Sequence, residues 1–236
     1  MNTREAQRYV RVAGWLILIS IFAGGFGESY VPGKLLAGHD AVETAHRVAT
    51  SVGLLRAGFA SYLLEAMCDL SLTAIFYMLL RPVSRTLSVI ALCFGIFGTA
   101  VFAVGEVFYF SAALPATDAG LASALGPDAR VWFPYLCLTV YGYVFSFFTA
   151  TYGIPTMIRG YLIYRSGYLP RVLGVVVVLG GAGFVAKNFA AMLAPKYDSM
   201  LYALPTFVAG VFQLFWFLVK GIDTAGWERR ISASAN

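Results

Sequence analysis

Charge is what this sequence has least of. Only 12% of its 236 residues are Asp, Glu, Lys or Arg, about half the share of an average soluble domain. Histidine occurs twice and cysteine three times. Cys68, Cys93 and Cys137 all fall in apolar stretches, which excludes an extracellular disulfide framework and leaves them as small packing residues. No GxGxxG turn, phosphate loop, CxxC pair or nucleophile elbow is present. Nucleotide binding, thiol redox chemistry and covalent catalysis therefore have no motif to stand on, and no cofactor is indicated. The formal net charge of +5 comes from basic residues standing singly or in short groups. Without a basic patch, no nucleic-acid partner is expected.

What fills the chain instead is apolar: 59% hydrophobic and 16% aromatic. Stretches of eighteen or more apolar residues recur, each long enough to cross a bilayer as a helix. Six spans are expected, at roughly 12–31, 57–80, 86–114, 132–158, 172–194 and 201–220. Short loops join them, so residues 1–236 read as a single transmembrane domain, an all-α integral membrane bundle of about six helices. Placing the N-terminus in the cytoplasm puts eleven of the seventeen Lys and Arg residues inside, in line with the positive-inside rule. Both termini are then cytoplasmic. The basic start, apolar run and "FAGGFG" also look like a secretory signal. Cleavage there would leave five spans and move the basic C-terminus outside, so a retained first helix is expected.

Four segments, "GGFGESYVPGKL", "LLRAGFASYLLEAMCDLSLTAIFYMLLRPV", "YLIYRSGYLPRVLGVV" and "LFWFLVKG", resemble in content and order a bacterial membrane family known as domain-of-unknown-function family 4386. The resemblance implies a multi-pass protein of a bacterial inner membrane and supplies no reaction. The sequence departs from the family pattern in "GFVAKNF", where Lys187 stands in place of an acid, and in "VAGVFQLFW", which carries none.

Several ionisable residues lie at membrane depth. Each costs at least about 2.5–3.5 kcal/mol on insertion scales, so such groups usually face protein or water. Glu65 and Asp69, inside "YLLEAMCDLSLTAIFYMLL", are four apart and share a helix face. Two carboxylates so close in low dielectric do not both ionise unless a cation intervenes. Glu28, Glu106 and Lys187 are expected at similar depth in the outer half of the bilayer, and Arg56 at a span entrance. Two readings stand side by side: interhelical glue, or a polar pocket in which Glu65 and Asp69 hold a proton or cation, Glu106 is a companion acid and Lys187 the counter-charge.

The pocket reading predicts a small or lipidic ligand, or a proton. A second reading is a membrane-embedded enzyme whose buried carboxylate does acid–base chemistry on an isoprenoid or lipid, sheltered by Tyr135, Tyr141, Tyr143 and Tyr152. A third is an accessory subunit of a larger complex. Expected partners are membrane lipids, a hydrophobic small molecule, and a membrane protein or second copy of the chain. In "HDAVETAH", Asp40 is placed to cap a short amphipathic helix. His39, Glu43 and His46 stand at i, i+4 and i+7, one face if the loop is helical, a spacing that can ligate a metal; Glu43 with Arg47 is the simpler reading, a surface pair. Gly95, Gly98, Gly174, Gly180, Gly181 and Gly183 suit close helix packing, and Pro134 and Pro155 permit bends in the fourth span.

Overall fold

The computed structural model describes residues 1–194, 196 and 199–235, and among them there is no strand. Helix α1 (Thr3–Gly24) opens on a reciprocal cap. The Glu5 amide donates to Asn2 Oδ1 at 2.9 Å and the Asn2 amide to Glu5 Oε2 at 2.8 Å, which satisfies donors that a helix start leaves orphaned. The chain then passes through a π-helical turn, Gly25–Tyr30, into α2 (Val31–Leu35) with helical dihedrals at both junctions. A short α3 (Ala41–Thr50) and four long helices follow: α4 (Val52–Leu80), α5 (Arg85–Ser111), α7 (Ala119–Ser166) and α8 (Arg171–Leu193), with the single turn α6 (Leu114–Thr117) between α5 and α7. A 3-10 turn (Met200–Ala203) leads into α9 (Leu204–Val219), and α10 (Thr224–Ala235) ends the described chain.

Six helical segments are long and apolar enough to span a membrane: Thr3–Leu35, Val52–Leu80, Arg85–Ser111, Ala119–Ser166, Arg171–Leu193 and Leu201–Val219. They coincide with the six expected spans; three are longer than expected and the other three agree to within a few residues. The largest difference is α7, expected over 132–158. It runs on through Pro155 to Ser166, and its interruption falls at Gly126 (φ 69°, ψ 171°) rather than at a proline. At its C-terminal end Gly167 adopts φ +79° directly after the helix, and Pro170 caps α8. Glycine tolerates that left-handed conformation without a Cβ clash.

The chain divides into two compact units. Unit 1 comprises residues 1–19, 68–99 and 147–236; unit 2 comprises 20–67 and 100–146. Unit 1 has a continuous apolar core in which Val10, Leu79, Leu162, Ile163, Leu173, Phe217 and Trp227 are at most 1% exposed. Trp227, on α10, packs edge-on against Tyr168 with ring centroids 4.9 Å apart. Helices α7 and α8 meet backbone to backbone. A Cβ on Gly174 would lie 2.7 Å from the Gly160 carbonyl oxygen, and one on Gly181 would lie 2.6 Å from that of Gly153. Only glycine permits this approach.

Unit 2 is built around α1, α4, α5 and α7. Ser61 on α4 donates to the Ala23 carbonyl at 3.0 Å, and a Cβ on Gly27 would lie 3.0 Å from the Gly58 carbonyl oxygen. Large apolar side chains stand exposed on the outer faces of the long helices, including Phe22, Met67, Val107, Trp132 and Leu136. Exposed apolar surface of this extent fits a lipid-facing wall.

Candidate functional site

Glu106, near the end of α5, is 2% exposed. Around it unit 2 gathers a set of rings: Tyr62 against Phe102 at 5.0 Å, Phe102 against Phe145 at 5.6 Å, and Tyr109 against Tyr141 at 5.2 Å. The Tyr141 hydroxyl lies beside the Glu106 carboxyl, and the charge of Glu65 is felt at Glu106. Tyr141 in turn stands in the combined field of Glu106, Glu28 and Glu65. Three carboxylates from the π turn, α4 and α5 thus share one neighbourhood.

Backbone packing fixes two of its members. A Cβ on Gly24 would fall 2.5 Å from Glu65 Oε1, so the glycine leaves α1 open beside that carboxyl. A Cβ on Gly58 would collide with the Tyr109 hydroxyl. Glu28 stands on the π turn, a widened helical geometry that recurs at functional sites.

The polar atoms are only partly satisfied. Glu106 Oε2 and the Tyr109 hydroxyl are buried without a hydrogen bond. An unsatisfied buried polar group costs about 1–3 kcal/mol, and more if charged. The basic residues of unit 2 are occupied elsewhere. Arg47 pairs with Glu43 at 2.7 Å, Lys34 lies over the Tyr30 ring, Arg130 donates to the Ala122 carbonyl, and Arg56 is exposed. Among the described residues no ion pair reaches Glu106. The arrangement can accept a proton or a small cation between carboxyl and phenol oxygens, inside aromatic walls.

The structure brings together Glu28, Glu65 and Glu106 from the sequence-derived set. Asp69, half-buried on α4, and Lys187, half-buried on α8, both fall in unit 1. Of the tyrosines expected on the fourth span, Tyr141 joins the cluster and Tyr152 belongs to unit 1. Tyr143 is 70% exposed, and Tyr135 lies 3.4 Å from His39 Nδ1. Asp40 caps α3 as expected, accepting from the Glu43 amide at 2.9 Å. That cap also leaves His39 outside the helix, so His39, Glu43 and His46 do not form one helical face. Among the described residues no group of three His, Cys, Asp or Glu side chains is arranged to hold a metal ion.

Sequence reasoning missed Tyr62 and Tyr109. Both stand three residues from an acid, Glu65 and Glu106 respectively, the spacing that shares a helix face.

Six membrane-length helices, with apolar surface outside and carboxylates within, define a multi-pass helical membrane protein. A profile described as a domain of unknown function, DUF4386, matches residues 12–221, and the chain belongs to that family. It is also similar to an uncharacterized protein of Archaeoglobus fulgidus, 26% identical over 153 residues that make up 65% of this chain and 76% of that protein. No solved structure matches it.

Proposed function

We propose that unit 2 carries an intramembrane acidic site that takes up a proton or a small cation, with Glu106 as its centre and Glu28 and Glu65 as companion acids. The observation that carries this reading is the burial of Glu106 Oε2 and the Tyr109 hydroxyl, neither hydrogen-bonded, beside Tyr141. A carboxyl held this way in an apolar surround is stable only when something neutralises it, and intramembrane carboxylates commonly mark proton and ion paths. The ring-lined walls favour an amphipathic ligand with a cationic group as the larger occupant, because aromatic faces attract cations.

With six alternating spans, eleven of the seventeen Lys and Arg residues fall on the side of the N-terminus, which supports a cytoplasmic N-terminus. Both termini are then cytoplasmic, and the cell membrane is the proposed location.

Infrared titration of the purified protein in lipid tests the site. A carboxyl C=O band should appear and vanish with pH in the wild type, be absent in Glu106→Gln, and shift in Tyr141→Phe. Both variants need to elute as folded protein on size exclusion. A band identical in the wild type and folded Glu106→Gln would refute the assignment.

A further inference from the structure

Unit 1 carries an open groove of about 370 Å³ where the α7–α8 turn meets the end of α9, a volume within the range of small-ligand sites. Tyr168, Leu169 and Pro170 line it from the turn, and Trp216, Lys220 and Asp223 from α9 and its link to α10.

Hydrogen bonds within the protein fix its walls. The Asp223 amide donates to the Tyr168 carbonyl at 2.9 Å and so joins the two sides. The Ile222 amide donates to Gln7 Oε1 on α1 at 2.9 Å, and the Trp216 indole N–H to the Gly221 carbonyl at 3.0 Å. Gly221 adopts φ +75°, and a Cβ there would collide with the Gln7 side chain. A groove formed in advance in this way binds at a lower entropic cost than one that must first be ordered.

The rim carries one charge of each sign. Lys220 and Asp223 are both exposed, and among the described residues no ion pair joins them. Lys220 serves the fold through its backbone, its amide donating to the Trp216 carbonyl at 2.9 Å. Asp223 accepts from the Gly226 amide through Oδ2 at 3.1 Å, and the same oxygen lies 3.9 Å from Arg229, at the limit of an ion pair. Its Oδ1 is left to solvent. A cation and an anion held on one rim without pairing fit a ligand that carries both charges.

Depth narrows the chemistry. One membrane-length segment ends at Ser166, another starts at Arg171 and a third ends at Val219, so the groove lies at the level of their ends. Tyr161 and Tyr164 are exposed just before it in the chain, with Arg165 and Arg171 over their rings at 5.9 and 5.7 Å. Amphipathic rings of this kind favour the headgroup layer. Val172 and Val219, beside the groove in sequence, are 64% and 63% exposed, so the lipid-facing wall begins there. We propose that this groove binds a phosphoethanolamine headgroup, with Lys220 against the phosphate and Asp223 against the ammonium. That group is carried by phosphatidylethanolamine in the bilayer and by O-phosphoethanolamine in the water beside it.

Melting of the full-length protein in neutral detergent tests this, titrated with phosphatidylethanolamine, phosphatidylglycerol or O-phosphoethanolamine. Phosphatidylethanolamine should stabilise the wild type at lower concentration than phosphatidylglycerol, which offers Asp223 no ammonium. Asp223→Asn removes the charge but keeps the cap of α10, since Asn caps as well as Asp. Its apparent affinity for phosphatidylethanolamine should fall about tenfold, the scale of losing one charge-assisted hydrogen bond, with no fall for phosphatidylglycerol. Lys220→Gln should weaken both lipids. A merely structural Asp223 would change the melting temperature and leave the lipid preference intact. The same pattern with O-phosphoethanolamine, and no response to lipid, supports the site and assigns its source to the water. The proposal would be overturned by a wild type that does not prefer the amine lipid, by a preference unchanged in Asp223→Asn, by wild-type binding in Lys220→Gln, or by no shift with any of the three.

Discussion

Unit 1 holds thirteen of the seventeen basic residues and five of the twelve acids, a net of +8; unit 2 holds four and seven, a net of −3. Their interiors differ as well. Unit 1 buries an apolar core with glycine-tight helix crossings, whereas unit 2 buries a carboxyl oxygen and a phenol without hydrogen bonds. Close packing and dispersion stabilise helices in a membrane. Unsatisfied polar atoms do the reverse, and persist where function requires them. The comparison therefore assigns most of the stability to unit 1 and agrees with the proposal that unit 2 takes up a proton or cation.

The strongest way to break the contrast is Gly174→Leu. Its Cβ would meet the Tyr164 amide nitrogen at 2.5 Å and the Gly160 carbonyl oxygen at 2.7 Å. Backbone cannot yield as a side chain does, so the cost should exceed the usual 1–3 kcal/mol, roughly, of overpacking. Fluorescence-detected size exclusion should show no monodisperse protein; a normal peak would mean that α7 and α8 are not tightly joined.

Glu106→Met should act in the opposite direction. Replacing an unsatisfied buried carboxyl by an apolar side chain of similar length should leave thermal stability unchanged or raise it by about 1–3 kcal/mol, while the carboxyl titration disappears. A clear fall in melting temperature would make Glu106 part of the packing and blur the contrast.

Tyr168 sharpens the picture of unit 1. Between α7 and α8, its hydroxyl donates to the Leu79 carbonyl at 2.5 Å, and burial raises its pKa above the ordinary tyrosine range. The folded protein thus keeps this proton when the unfolded chain, titrating near about pH 10, loses it. Its contribution is complete below that pH and is lost as pH rises further. Tyr168→Phe should cost about 0.5–1.5 kcal/mol at neutral pH and flatten the alkaline decline, as read from melting curves between neutral and alkaline buffer. The smallest effect is expected for Arg47→Ala. The half-exposed pair with Glu43 should be worth only about 0.3–0.5 kcal/mol, and a melting shift of several degrees would show that α3 does more than cover unit 2.

The six spans were legible because about twenty apolar residues in a row leave few alternatives. Some of their ends were not, since polar helix termini carry no apolar signal. Helix α1 starts at Thr3 because of the Asn2–Glu5 cap, and α7 passes Pro155 because neighbouring packing outweighs the missing amide. Asp40 was readable as a cap because its effect is local. His39 failed as a helix-face residue for the same local reason, being one position too early. Glu28, Glu65 and Glu106 were found from charge at depth, but their tyrosine neighbours depend on which helix faces meet. Arg159, buried inside α7, was hidden for a different reason. At the edge of an apolar stretch, arginine reads as a topology signal, and its burial depends on Thr73 and Gly95, distant in sequence.

The glycines of α7 and α8 bear on the order of events during biosynthesis. Gly153 and Gly160 face Gly181 and Gly174, pairs spaced seven residues apart on both helices. Lipid chains fill such shallow grooves poorly, and the bilayer supplies no hydrophobic drive between helices. Each helix alone is thus an incomplete surface, mended only by its neighbour in the chain. Pairing should begin as soon as both have left the translocon.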